Sequence, residues 1–419
     1  MNTTKTLAAL SGVAIAALAL SGCVANDTDG TSADSTDGTD AAANALTVDA
    51  TDDGCAVSAA TATSGTLKFS VTNGGSQVTE FYLLADDGLR IIGEVENIAP
   101  GASRDLTVTA QPGDYFTLCK PGMVGAGVGK ADFTVSGDAV ELSEADAEVM
   151  QQAVDLYAAF VKDQVEQLVP GVADFVAAYE SGDDETAREL FPEVRAHYER
   201  IEPVAESLGD LDPKIDYREV DAVAEGLDWT GFHRIEKDLW VPEEDALNAD
   251  GESAWKDWEP STDAERAQFG DQLIADVATL DDYVHSDDFT AALTDQGIAG
   301  ISNGAIGLLD EVATGKISGE EDWWSGTDLW DFAANVEGSE MAFSLVKDYV
   351  ETKDGGADLS SQIQDGYDNL KAVLATFGSL DDGFVNYSEL TDDDKQNLSD
   401  KLNALAEPLS QLTGVLTTE

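Results

Sequence analysis

Histidine is scarce in this chain. There are three in 419 residues, His197, His233 and His285, and none before position 197. Cysteine is equally rare, with only Cys23, Cys55 and Cys119. Positive charge is the third shortage: 22 Lys and Arg stand against 83 Asp and Glu, a formal net charge of −61. So acidic a surface repels phosphate backbones and anionic headgroups, which excludes nucleic acid as a partner. It draws metal cations over long range, less so in salt, although solubility in salt accounts for most of such a charge. No apolar run long enough to span a bilayer follows residue 20. The His-Glu-x-x-His pair of a zinc peptidase is missing, and neither a nucleophile elbow nor a phosphate loop is expected. What is present is ample apolar material, 43% of the chain, so the charge does not mean global disorder.

The first residues read as a leader. Lys5 precedes an apolar run from Leu7 to Leu20, too short to span a membrane comfortably and suited to a signal-peptide core. Leu20-Ser21-Gly22-Cys23 resembles a bacterial lipobox. On that reading residues 1–22 are removed and Cys23 carries lipid, tethering the protein to the outer face of a membrane. Residues 23–45 are Asp, Thr, Ser, Gly and Ala with almost no apolar bulk, the composition of a disordered acidic tether.

Residues 46–140 read as short strands divided by turn signals. The candidates are Thr66–Thr72, Val78–Leu84, Arg90–Val95, Arg104–Ala110, Tyr115–Cys119 and Gly129–Ser136, with breaks at Asn73-Gly74-Gly75, Pro100-Gly101 and Pro112-Gly113. This spacing predicts a small β-sandwich. A blue-copper centre needs two His, a Cys and an axial Met, and a stretch without histidine cannot build one. Cys55 and Cys119 leave two readings open: a disulfide, or a soft metal site with Met123 or Glu80.

Residues 141–419 change to helical periodicity. Ser143-Glu144-Ala145-Asp146 reads as a helix N-cap, and a break or kink is expected at Pro170-Gly171. Further helices are expected over Thr186–Leu208, interrupted near Pro192 and Pro203, and over Ala264–Tyr283, Trp330–Val350, Leu359–Thr376 and Leu398–Leu416. Together they predict an all-α antiparallel bundle. Within it Gly231-Phe232-His233-Arg234-Ile235-Glu236 places an imidazole and a carboxylate three residues apart, on one helix face. That donor pair suits zinc, iron, copper or nickel better than magnesium. Two ligands are too few, so other helices must add donors. Glu199 with Glu202, also three apart, and Asp331 beside Asp328 are the candidates, set against a background of many acidic pairs that merely face solvent.

The run Trp229–Leu239 resembles EfeO-type iron-uptake proteins, and Gly-x-His-x-x-Glu resembles the signature of the wider imelysin-like family. Four further stretches agree in order: Tyr198–Glu206, Asp210–Asp216, Lys316–Asp322 and Thr327–Gly338. The resemblance extends from Leu46 to the C-terminus. It implies a cupredoxin-like domain followed by an imelysin-like helical domain. It implies iron, or zinc or another divalent metal, at His233 and Glu236, with copper at the first domain left open. It also implies a membrane iron permease and a haem peroxidase as partners. Ala56-Val57 after Cys55 departs from the family pattern, where an acidic residue and proline are usual, and puts metal handling at the cysteines in doubt. Some relatives are classed as metallopeptidases and others bind acidic polysaccharide; those are the alternative functions, and binding is the favoured one.

Overall fold

A computed structural model of the chain describes residues 44–416 apart from 87, 89–90, 124–126, 140–143, 203, 205–208, 210 and 354. The leader, Cys23, nearly all of the tether and the Ser143 cap lie outside the described residues.

The first half of the fold is two β-sheets face to face. β1 (Ala45–Thr51), β2 (Gly54–Val57), β4 (Gly65–Asn73) and β7 (Ser103–Ala110) form one, in the order β2-β1-β4-β7. β3 (Thr61–Thr63), β5 (Thr79–Leu84), β6 (Ile91–Ile98), β8 (Gly113–Pro121) and β9 (Val128–Ser136) form the other, in the order β3-β9-β8-β5-β6. Most neighbours are antiparallel; β1–β4 and β3–β9 are parallel. Alternation explains the pairing: Leu67, Phe69 and Val71 of β4 are buried while Thr66, Lys68 and Thr72 are exposed. Phe69 meets Phe81 and Phe133 of the opposite sheet at 5.1 and 5.7 Å between ring centres, which closes the core.

Of the two readings left open for the cysteines, the structure has the disulfide: Cys55 on β2 is bonded to Cys119 on β8. While bonded, neither sulfur offers a thiolate to copper or any other metal. The bridge closes a loop with a sequence separation of 64. Cys55→Ser with Cys119→Ser is expected to lower the β-region's stability by about 4 kcal/mol, measured by urea unfolding.

The second half is helical, with α1 (Glu144–Ser181), α2 (Asp184–Glu199), α3 (Asp212–Ile215), α4 (Glu219–Glu225), α5 (Phe232–Leu239), α6 (Asp263–Val284), α7 (Asp287–Glu311), α8 (Asp328–Val350), α9 (Gly356–Leu374), α10 (Asp392–Leu409) and α11 (Leu412–Leu416). A π-turn, Val312–Lys316, extends α7. Thr391 caps α10 through a reciprocal bond with Asp394.

Three expectations are corrected. α1 runs unbroken through Pro170. An interior proline costs about 3 kcal/mol, but the helix is held along its length by α2, α6 and α7, and Gly171 lets α2 approach where a side chain would press on Val194. α2 runs through Pro192 without interruption and ends at Glu199 with Arg200 as its C-cap, so Glu202 lies beyond it rather than on its face. Finally, Gly300-Ile301-Ser302-Asn303-Gly304 does spell a nucleophile elbow. It lies inside α7, and Ser302 is fully buried with its hydroxyl 2.5 Å from Thr413 Oγ1, so it has neither the sharp turn nor the exposure an elbow needs.

The two halves touch along α7. Arg104 of β7 pairs with Asp310 at 3.2 Å, and the Asn97 amide donates to the Asp310 carbonyl at 2.9 Å. Asn303 donates to the Thr107 carbonyl at 3.3 Å.

Candidate metal centre

α5 is only eight residues long, and all eight are buried. Phe232, Ile235 and Leu239 fall three and four apart and turn to the main core, where Phe232 packs on Phe175 and Phe191 with ring centres 5.9 and 6.3 Å away. The start of the helix is pinned to the end of α3. Gly231 has φ 85°, and a Cβ there would lie 2.1 Å from the Ile215 carbonyl oxygen. Thr230 Oγ1 donates to the Lys214 carbonyl and the Trp229 indole to that of Tyr217, both at 2.9 Å.

The opposite face carries the chemistry. His233 is 2% exposed. Its Nδ1 lies 3.1 Å from Glu236 Oε2, and the other Glu236 oxygen accepts from the backbone N–H groups of Trp324 and Ser325 at 3.0 and 2.8 Å. Both oxygens of Glu236 are therefore engaged, and the imidazole is oriented with Nε2 turned the other way. Nε2 is buried and makes no aligned hydrogen bond, yet Glu321 Oε1 is 3.3 Å and Asp216 Oδ1 3.7 Å from it. Asp216, His233 and Glu321 can converge on one ion; so can His233, Glu236 and Asp322 on the Nδ1 side. A cavity of about 20 Å³, room for one water-sized occupant, is lined by His233, Glu236, Glu321, Arg218, Trp229 and Trp324.

Arg195 lies at the centre of this cage with no exposure. Its guanidinium reaches Glu199 at 2.5 Å, Asp216 at 2.7 Å, Asp322 and Asp331 at 2.9 Å, and Glu321 at 3.3 Å. The charges push one another's titrations apart. Burial and Arg195 both favour neutral His233, but Asp216, Glu236 and Glu321 outweigh them and raise it to about 10. Burial would raise Glu321, yet Lys316, His233 and Arg218 hold it well below the ordinary carboxylate range. Burial lifts Asp331 and Asp322 well above that range, beyond what Arg195 can offset.

The structure thus brings His233 and Glu236 together; of the other expected ligands, Glu199 and Glu202 group with Asp216, and Asp331 is not among the groups that converge on His233. Asp331 faces Arg195, not His233. Glu199 and Glu202 flank Lys316 at 3.1 Å each and form a second group that shares Asp216 with the first. Asn335 of α8 donates to both of their carboxylates at 3.0 Å. Asp216, Glu321 and Asp322 were not singled out from sequence, though each sits in a stretch carrying the family resemblance. Lys237 is held by Glu219 and, at 3.2 Å, by Asn248, among the rings of Trp229, Trp258 and Trp324. Those indoles thus pack around a buried cation, while Trp323 is 39% exposed.

A buried imidazole is flanked here by carboxylates drawn from three separate segments, a nitrogen and oxygen set that could converge on a cation. The chain belongs to the imelysin family, whose model matches residues 153–412, and within it to the EfeO-type iron-uptake components. It is 36% identical over 373 residues to the iron uptake system component EfeO of Escherichia coli strain K12 and to that of Shigella flexneri, covering 88% of this chain and 90% of each relative. A solved structure from Parabacteroides distasonis, described as an iron-regulated protein A precursor, superposes with a TM-score of 0.44 at 14% identity over 66% of this chain and 96% of that one, too distant to carry an argument.

Proposed function

We propose that this chain is the metal-holding component of an EfeO-type iron-uptake system, a binding protein rather than a peptidase. Iron is held by His233 Nε2 with Asp216 and Glu321, while Glu236 fixes the imidazole through Nδ1. The observation that carries this reading is His233 Nε2, buried without a hydrogen bond and facing two carboxylates. A nitrogen so placed, with carboxylate oxygens at 3.3 and 3.7 Å and no aligned hydrogen bond, is positioned to share a cation with them. Mixed nitrogen and oxygen donors suit iron, and zinc or another divalent metal fits the same set. Glu199, Glu202 and Asp331 support the cage through Lys316 and Arg195 rather than as ligands.

The wider assignment follows the family and the leader. Residues 46–140 form a cupredoxin-like domain and residues 141–419 the imelysin-like one. Cys23 carries the lipid that keeps the protein on the outer face of the membrane. Iron passes from here to a membrane permease, with a haem peroxidase in the same system. Among the described residues no helix is long and apolar enough to cross a membrane.

The test is metal content by equilibrium dialysis against ferrous iron under argon. The wild-type protein is expected to take up stoichiometric metal, and His233→Ala with Glu236→Ala to lose at least about a hundredfold in affinity. Unchanged uptake in the double variant would end the proposal.

A further inference from the structure

We propose that Arg195 is a specificity-determining residue of this centre: its guanidinium is a tethered cation that competes with the incoming metal for the same oxygens, keeps the ion releasable, and disfavours trivalent more than divalent ions. The inference rests on the metal reading above and deepens it.

Three observations support it. Arg195 is fully buried, so its charge is screened by protein groups and not by water. It already pairs with every carboxylate that could join His233 on an ion except Glu236: Asp216 and Glu321 on the Nε2 side, Asp322 on the Nδ1 side. The oxygens facing His233 Nε2 are the ones Arg195 already holds: Glu321 Oε1 lies 3.3 Å from both, and Asp216 Oδ1 lies 2.9 Å from Arg195 Nε and 3.7 Å from His233 Nε2, so an ion bound by them stands close to the guanidinium. An ion entering the cage must draw Asp216 and Glu321 partly away from Arg195 and must stand one carboxylate's width from a fixed positive charge. That charge weakens binding in proportion to the charge of the ion. A variant in which divalent affinity rises about tenfold should therefore gain about thirtyfold for a trivalent ion, because the logarithms stand as two to three.

A scaffold role for Arg195 predicts the opposite sign. If the guanidinium only held the carboxylates in place, removing it would loosen the cage and weaken binding. Asp331 contacts Arg195 and is not among the groups that converge on His233, so Asp331→Asn removes one of the carboxylates that Arg195→Gln would leave unpaired without touching a candidate ligand.

The experiment uses the full chain with zinc as the divalent probe and gallium as a redox-inert trivalent one, measured by chelator competition and by stopped-flow release. The proteins are wild type, Arg195→Lys, Arg195→Gln and Arg195→Gln with Asp331→Asn, with His233→Ala as the control lacking the site. Expected are at least about tenfold tighter zinc binding and slower release in the double variant, a larger gain for gallium, and near wild-type values for Arg195→Lys. Equal or weaker binding by a folded neutral variant overturns the proposal. Should neither neutral variant fold, the wild-type protein decides by NMR. The Nε resonance of Arg195, which bonds Asp216 at 2.9 Å, must shift on metal saturation, and a static resonance overturns the idea. Absence of metal binding by the wild type itself would instead defeat the function proposed above, so the two failures are distinguishable.

Discussion

Gly231→Ala is expected to destabilise the protein by at least about 3 kcal/mol and to remove metal binding with it. The added methyl would stand 2.1 Å from one backbone atom of Ile215 and 2.4 Å from another, where no side chain can swing aside. The backbone at φ 85° and ψ −161° adds strain of its own for any residue with a Cβ. Relief requires α5 to move away from α3, which carries His233 away from Asp216, the first residue past α3. Urea unfolding and a metal titration on the same sample check this. A stable variant with intact affinity would show that the close approach of α3 and α5 is not what positions the imidazole.

Metal binding at neutral pH is expected to release about one proton, and affinity to rise about tenfold per pH unit towards pH 10. His233 is raised to about 10, so at pH 7 its imidazolium form predominates, and a ligand nitrogen must first give up its proton. Calorimetry in buffers of different ionisation enthalpy measures the count; a value near zero would mean that His233 is not the ligand. The stability of the metal-free chain runs the other way. The folded value lies above the ordinary 6.5, so the imidazolium contributes its full stabilisation below about pH 6.5, and this is lost as pH rises through about 10. The empty cage is thus firmest in the range where it holds metal least well.

How much of this the sequence could reveal follows from how local each feature is. His233 and Glu236 are neighbours on one helical turn, so spacing alone paired them. Asp216, Glu321 and Asp322 come from two loops brought in by tertiary packing, and as single acids among 83 they carry no individual signal. Arg195 gave none either: an arginine one turn before a glutamate reads as a surface pair, and only the fold encloses it. Asp331 misled because its spacing from Asp328 suits a helix face, yet that face turns to Arg195. Among the helices, α7 escaped notice because Gly297, Gly300, Gly304 and Gly307 break up its apolar pattern, and its backbone is indeed non-helical at Gly297. The edge strands β2 and β3 are three to four residues long, too short for a pattern, while β1, which alternates regularly, was legible only as part of the stretch from Leu46. The longer strands set off by Gly or Pro punctuation were visible.

The cage is stitched from pieces far apart along the chain. Arg195 meets Asp322 across 127 positions, and Glu236 is clamped by amides 88 and 89 positions later. No short fragment contains it, so the cage exists only once these segments have come together. Occupancy then reports completed folding, and each bound ion holds the finished state against unravelling, by about 2.7 kcal/mol when free metal stands a hundredfold above its dissociation constant.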